Sequence, residues 1–116
     1  MNAEEIKRRT KDFALRAINL VESLPKTVVA GVIGKQLLRS ATSVGANYRS
    51  ACRARSKADF ASKICIVEEE ADESAYWLEL LIETEIVNAY EVTVLLKEAC
   101  ELTAIFAASG KTARRK

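Results

Sequence analysis

Four successive runs of residues at alternating steps of three and four constrain this chain more than any other feature. The first is Ile6, Thr10, Phe13, Ala17, Leu20 and Leu24, with one polar interruption at Thr10. Leu37, Ala41, Val44, Tyr48 and Ala51 form the second. Phe60, Ile64, Val67, Ala71, Ser74, Leu78 and Leu81 form the third, and Val92, Leu95, Ala99, Leu102 and Phe106 the fourth. Such spacing places an apolar stripe along one face of an α-helix, whereas a half-buried strand would alternate by two. One proline and four glycines in 116 residues leave few turns, so the elements must be few and long. A sandwich or barrel would need a turn signal after every strand.

Local signals bracket each run. Asn2 with Glu5, Ser56 with Asp59 and Asn88 with Glu91 all have capping-box spacing. Pro25 ends the first helix, because the residue before a proline is pushed away from helical dihedrals. The second helix is predicted from near Thr27 to about Arg55, and the third from Ser56 to about Glu85. Gly110 occupies the place of a helix C-terminal glycine for the fourth. Gly31, Gly34 and Gly45 interrupt the second run. They signal either close approach of a neighbouring backbone, at Gly34 and Gly45, or a break near Gly31–Gly34. Short links force neighbours to run antiparallel. The expected fold is therefore all-α, an antiparallel up-down-up-down four-helix bundle over residues 1–110, with 111–116 a basic, disordered tail.

Several function classes lack their equipment. There is no histidine, so neither a Ser–His nor a Cys–His nucleophile pair can form. A di-iron centre, the usual metal site of a carboxylate-rich bundle, needs Glu-x-x-His on two helices. Consecutive carboxylates in Glu68-Glu69-Glu70 point to different sides of a helix and cannot converge on one ion. No phosphate-binding glycine loop occurs. We expect no catalysis, no metal and no cofactor, although a lysine or carboxylate base remains a formal option. No apolar stretch is long enough to cross a membrane, and the N-terminus does not read as a signal peptide, so a cytoplasmic location is expected. Cys52, Cys65 and Cys100 read as core or interface fillers rather than metal or redox groups.

What remains is surface. The net charge of +2 hides an asymmetry: residues 1–57 hold 12 Lys/Arg against 4 Asp/Glu, and residues 58–116 hold 6 against 12. The basic half makes Lys35, Arg39, Arg49, Arg53, Arg55 and Lys57 candidate contacts for RNA or DNA, supplemented by Lys7, Arg8, Lys11 and the tail. No aromatic residues are interleaved with them, which argues against base stacking. The bland alternative is an ordinary helix surface, with cations favoured near a helix C-terminus. A second stripe on helix two (Gln36, Ser40, Ser43, Asn47) and another on helix three, including Glu69, Glu73 and Tyr76 beside Trp77, suggest a subunit interface. A wide core with a polar shoulder is the competing reading. Arg39 is placed to pair with Glu69, Glu70 or Glu73, or else all four are solvated.

One stretch is more specific. Gln36-Leu37-Leu38-Arg39-Ser40-Ala41-x-Ser43-Val44-x-Ala46-Asn47, then Arg55-Ser56-Lys57-Ala58-Asp59-Phe60, then Ala75-Tyr76-Trp77-Leu78-Glu79-Leu80-Leu81, resembles the bacterial 23S rRNA intervening-sequence proteins. The resemblance spans about residues 10–106, and Pro25-Lys26 before helix two fits it. That family is similar to the accessory protein of diversity-generating retroelements. The resemblance implies a ring-like homopentamer of antiparallel four-helix bundles, and for the retroelement relatives a basic surface that binds nucleic acid and a reverse transcriptase. Where many members have Ile-Pro-x-Asn-Ile-Ala-Glu-Gly, this chain has Val44-Gly45-Ala46-Asn47-Tyr48-Arg49-Ser50-Ala51, losing the proline and gaining a cation. Two functions are expected from these features: a non-catalytic oligomeric scaffold associated with RNA, or a protein-interaction module binding a polypeptide partner.

Overall fold

A computed structural model describes residues 1–115. Four helices follow in order: α1 (Ala3–Glu22), α2 (Val28–Ala51), α3 (Lys57–Glu83) and α4 (Ala89–Arg114). At about 1.5 Å per residue they span roughly 30–40 Å, which accounts for the longest dimension of 48 Å against 21 and 18 Å across. Each link is five residues long, so successive helices reverse direction. The resulting antiparallel bundle packs α1 on α2, α2 on α3, α3 on α4, and closes with a thinner α1–α4 seam.

The caps explain the boundaries. Asn2 Oδ1 accepts from the Glu5 N–H at 2.9 Å, Thr27 Oγ1 from Ala30 at 3.1 Å and Ser56 Oγ from Asp59 at 3.0 Å. Each satisfies a donor that the first helical turn leaves unpaired. Asn88 instead accepts from Tyr90, one residue earlier than the capping-box spacing suggests. α2 stops at Ala51 rather than about Arg55, because Cys52–Ser56 is consumed by the reversal into α3. There the Arg55 N–H donates to the Asp59 carboxylate at 3.1 Å. α3 leaves its last turn through Glu85, whose φ of 56° is the left-handed conformation usually given to glycine.

Gly110 does not end α4. The helix runs on to Arg114, so Lys111–Arg114 of the expected tail is helical, and Lys116 lies outside the described residues. Gly110 is buried, and a Cβ there would lie 3.1 Å from the Ile64 Cγ2 atom, so its value is close approach of α4 to α3. α2 likewise passes through its three glycines without a break. Gly45 faces Thr10 and Gly34 faces Leu24 and Val21, as close approach requires, while Gly31 faces open space.

All four stripes meet in one core. Phe13, Leu37, Val44, Ile64, Val67, Leu78, Leu81, Val92, Leu102 and Phe106 are fully buried, and the Tyr48 and Phe106 rings lie 5.6 Å apart. The polar interruption at Thr10 is buried too, and its hydroxyl donates to the Lys7 carbonyl at 3.1 Å. No buried side-chain nitrogen or oxygen among the described residues lacks a hydrogen-bond partner. The cysteines are not core fillers: Cys52, Cys65 and Cys100 are all exposed, Cys65 and Cys100 because they fall between the apolar positions of their helices and Cys52 because it lies in the α2–α3 link.

Candidate functional site

The bundle sorts its charges by face. α1 and α2 lie close where Gly45 meets Thr10, and outside that contact they leave a groove of about 490 Å³. Lys7, Arg8 and Lys11 line it from α1 and Arg49 from α2, together with the small residues Gly45 and Ala46. Glu4 is the one carboxylate in the lining, and the Lys7 ammonium lies 3.4 Å from it. A second groove of about 380 Å³, between α2 and α3, shares Ala46 and Arg49 and adds Ser50, Arg53 and Lys63. Lys63 reaches Asp59 at 3.3 Å. Among the described residues, the side chains of Arg8, Lys11, Arg49 and Arg53 make no ion pair and no hydrogen bond. They are cations facing water.

The six cations proposed from sequence do not form one patch. Arg49 and Arg53 join the grooves. Lys35 stands exposed on the N-terminal half of α2, two helical turns or more from Gly45. Arg55 lies in the α2–α3 link, and the Lys57 ammonium donates to the Arg115 carbonyl at 3.3 Å. Arg39 is engaged: it donates to both Glu70 oxygens, at 3.3 and 3.4 Å, and to Glu73. The pairing reading of Arg39 therefore holds for Glu70 and Glu73, while Glu69 turns to the Cys65 thiol at 3.5 Å. Arg39 holds the Glu73 carboxyl below its ordinary range, helped by the Trp77 indole N–H at 3.3 Å, and Glu69 pushes the Cys65 thiol up.

The small-residue stripe divides as well. Ser40 is fully buried within the chain, where the Ser74 hydroxyl donates to it at 2.8 Å, so it is unavailable to a sister chain. The reason is angular: Ser40 sits on the α3 side of α2, next to the core positions Leu37 and Val44, rather than outside them. Gln36, Ser43 and Asn47 remain half-buried on the α2–α3 shoulder, with Ser43 and Asn47 bonded to their own helix. On α3, Glu69 is exposed, Glu73 and Trp77 are half-buried, and Tyr76 is 53% exposed with its ring edge-on to Trp77. Ile66, in the same α3 stripe, is 45% exposed.

Ala14, Thr42, Ala46, Ser50 and Lys63 are among the groove residues to which sequence reasoning gave no role. No periodicity marks them, because the groove is created by the register of α1 against α2 and of α2 against α3. Among the described residues, no three His, Cys, Asp or Glu side chains gather as metal ligands, and no helix is long and apolar enough to cross a membrane.

Residues 3–108 match the family model described as 23S rRNA-intervening sequence protein. The chain belongs to the 23S rRNA-intervening sequence protein family. A crystal structure of a protein of unknown function from the S23 ribosomal protein family of Bacteroides thetaiotaomicron is similar to it, with 38% sequence identity and a TM-score of 0.86. That similarity covers 96% of this chain and 99% of the other. No curated protein matches. Membership in the 23S rRNA-intervening sequence family agrees with the four-helix architecture and with the residues that carried the resemblance in the sequence.

Proposed function

We propose that this chain is a non-catalytic, homo-oligomeric scaffold that associates with RNA. One observation carries the reading: cations without partners gather on α1 and the C-terminal half of α2, while the outer face of α3 carries Glu69, Asp72, Glu79 and Glu83. Segregated charge of this kind attracts a polyanion to one face and repels it from the other. Assembly is supported by exposed apolar side chains outside the two grooves, namely Val28, Val29 and Val32 on α2 and Ile66 and Tyr76 on α3. Repetition around an assembly, a pentamer on the family resemblance, multiplies a weak phosphate patch by its copy number.

The test is a mass by light scattering together with filter binding of RNA against salt. The reading expects a mass several times that of one chain, and a logarithm of affinity that falls linearly with the logarithm of salt. A monomer, or binding that is absent at low salt, would overturn it. A second reading, a module for a polypeptide partner, is favoured by the exposed Tyr76 ring packed on Trp77, an arrangement suited to an interface anchor.

A further inference from the structure

We infer that the joined grooves across α1, α2 and α3 form a track for the sugar–phosphate backbone of a duplex, read by shape and charge and not by base sequence. This deepens the RNA-scaffold reading and rests on it. Sequence alone put the main candidate contacts from Lys35 to Lys57, with Lys7, Arg8 and Lys11 as supplements; the fold withdraws Arg39 into an acidic pair and sets Arg8 and Lys11 beside Arg49. The two grooves meet at Ala46 and Arg49, so they make one continuous basic surface with Arg49 at its centre.

Three features select the ligand. Arg8, Lys11, Arg49 and Arg53 have no competing carboxylate partner, so a phosphate displaces only water and counterions. The lining residues Gly45 and Ala46 are small, which leaves room for a backbone beside the cations. Neither groove is lined by an aromatic ring, so unstacked bases find no platform, as a single-strand binder would require. The lining also lacks any large apolar side chain to enter a lipid surface. Duplex backbones, recognised by shape and phosphate spacing, fit what remains.

The full chain is titrated with labelled duplex RNA, duplex DNA, single-stranded RNA and anionic phosphatidylserine vesicles over a range of salt. Each cation that meets a phosphate adds about 0.9 to the salt slope on a duplex. Lys11→Gln with Arg49→Gln should therefore flatten the slope by about 1.8 for each chain in contact. If all four cations engage, affinity should fall about 150-fold between about 50 and 200 mM salt in the parent, and about 12-fold in the variant. Arg8→Gln with Arg53→Gln should do the same, while Lys26→Gln with Lys97→Gln, on exposed positions elsewhere, should keep the parent slope. Circular dichroism of each variant checks that the helices persist.

If the parent binds duplex but the groove variants keep its slope, or Lys35→Gln with Lys57→Gln flattens it instead, the track is wrong and the scaffold reading survives. Tighter binding of single strands or vesicles than of duplex would also overturn the track. If the parent binds no nucleic acid at all, both ideas fall.

Discussion

Replacing the paired serines Ser40 and Ser74 tests where the second stripe of α2 points. Both hydroxyls are fully buried. Ser74 donates to Ser40 at 2.8 Å and has the Glu70 carbonyl at 2.9 Å as an alternative acceptor, while Ser40 has the Leu37 carbonyl at 3.3 Å. Ser40→Ala removes the shared bond but lets Ser74 keep Glu70, and Ser74→Ala lets Ser40 keep Leu37. Neither single change strands a buried donor, so each should cost about 1 kcal/mol, the net worth of one hydrogen bond. The double variant also loses the fallback bond that each single variant kept, so it should cost about 2 kcal/mol, the sum of the two single costs. Urea melts at one fixed protein concentration, followed by circular dichroism, would read these costs; in a thermal melt of a chain of this length a cost of about 1 kcal/mol is roughly a 3–6 °C shift in Tm. Light scattering of the same samples should show an unchanged mass. Parental stability of both single variants would refute the buried pair. A Ser40→Ala variant with parental stability but reduced mass would put Ser40 against a sister chain after all.

Two further perturbations follow from the same geometry. Glu73 is held below its ordinary carboxyl value of 4.5 first by Arg39, so the unfolded chain takes up its proton more readily than the folded one. Its contribution is full above the unfolded value and lost as pH falls through the folded one. The urea midpoint of Glu73→Gln should thus lie below the parent's at neutral pH and approach it below pH 4.5; a constant gap would refute the pairing. Among the glycines, Gly31→Ala meets no atom within 4 Å and should stabilise by about 0.5–1 kcal/mol through helix propensity. Gly45→Ala would place its Cβ 3.2 Å from the buried Thr10 hydroxyl, and crowding should cancel that gain, leaving it less stable than Gly31→Ala by about 1 kcal/mol or more. Equal melting temperatures for the two would contradict the close approach of α1 and α2.

The four helices, their caps and their buried faces were written in the sequence, because periodicity and capping act within a few residues of chain. Phe13, Leu37, Leu78 and Phe106 could be placed in the core from spacing alone. Tertiary structure alone decided which of two neighbouring stripes faces inward, and so buried Ser40 against Ser74 and left all three cysteines wet. It also turned Gly110 from a terminator into a packing contact with Ile64. The cationic surface lies on the same divide. Arg49 and Lys11 are far apart along the chain, and only the register set where Gly45 meets Thr10 brings them to one groove, while the pairing across α2 and α3 takes Arg39 away from it. One-dimensional spacing fixes the angle of a side chain about its own helix; which neighbour occupies that angle is a property of how the helices pack.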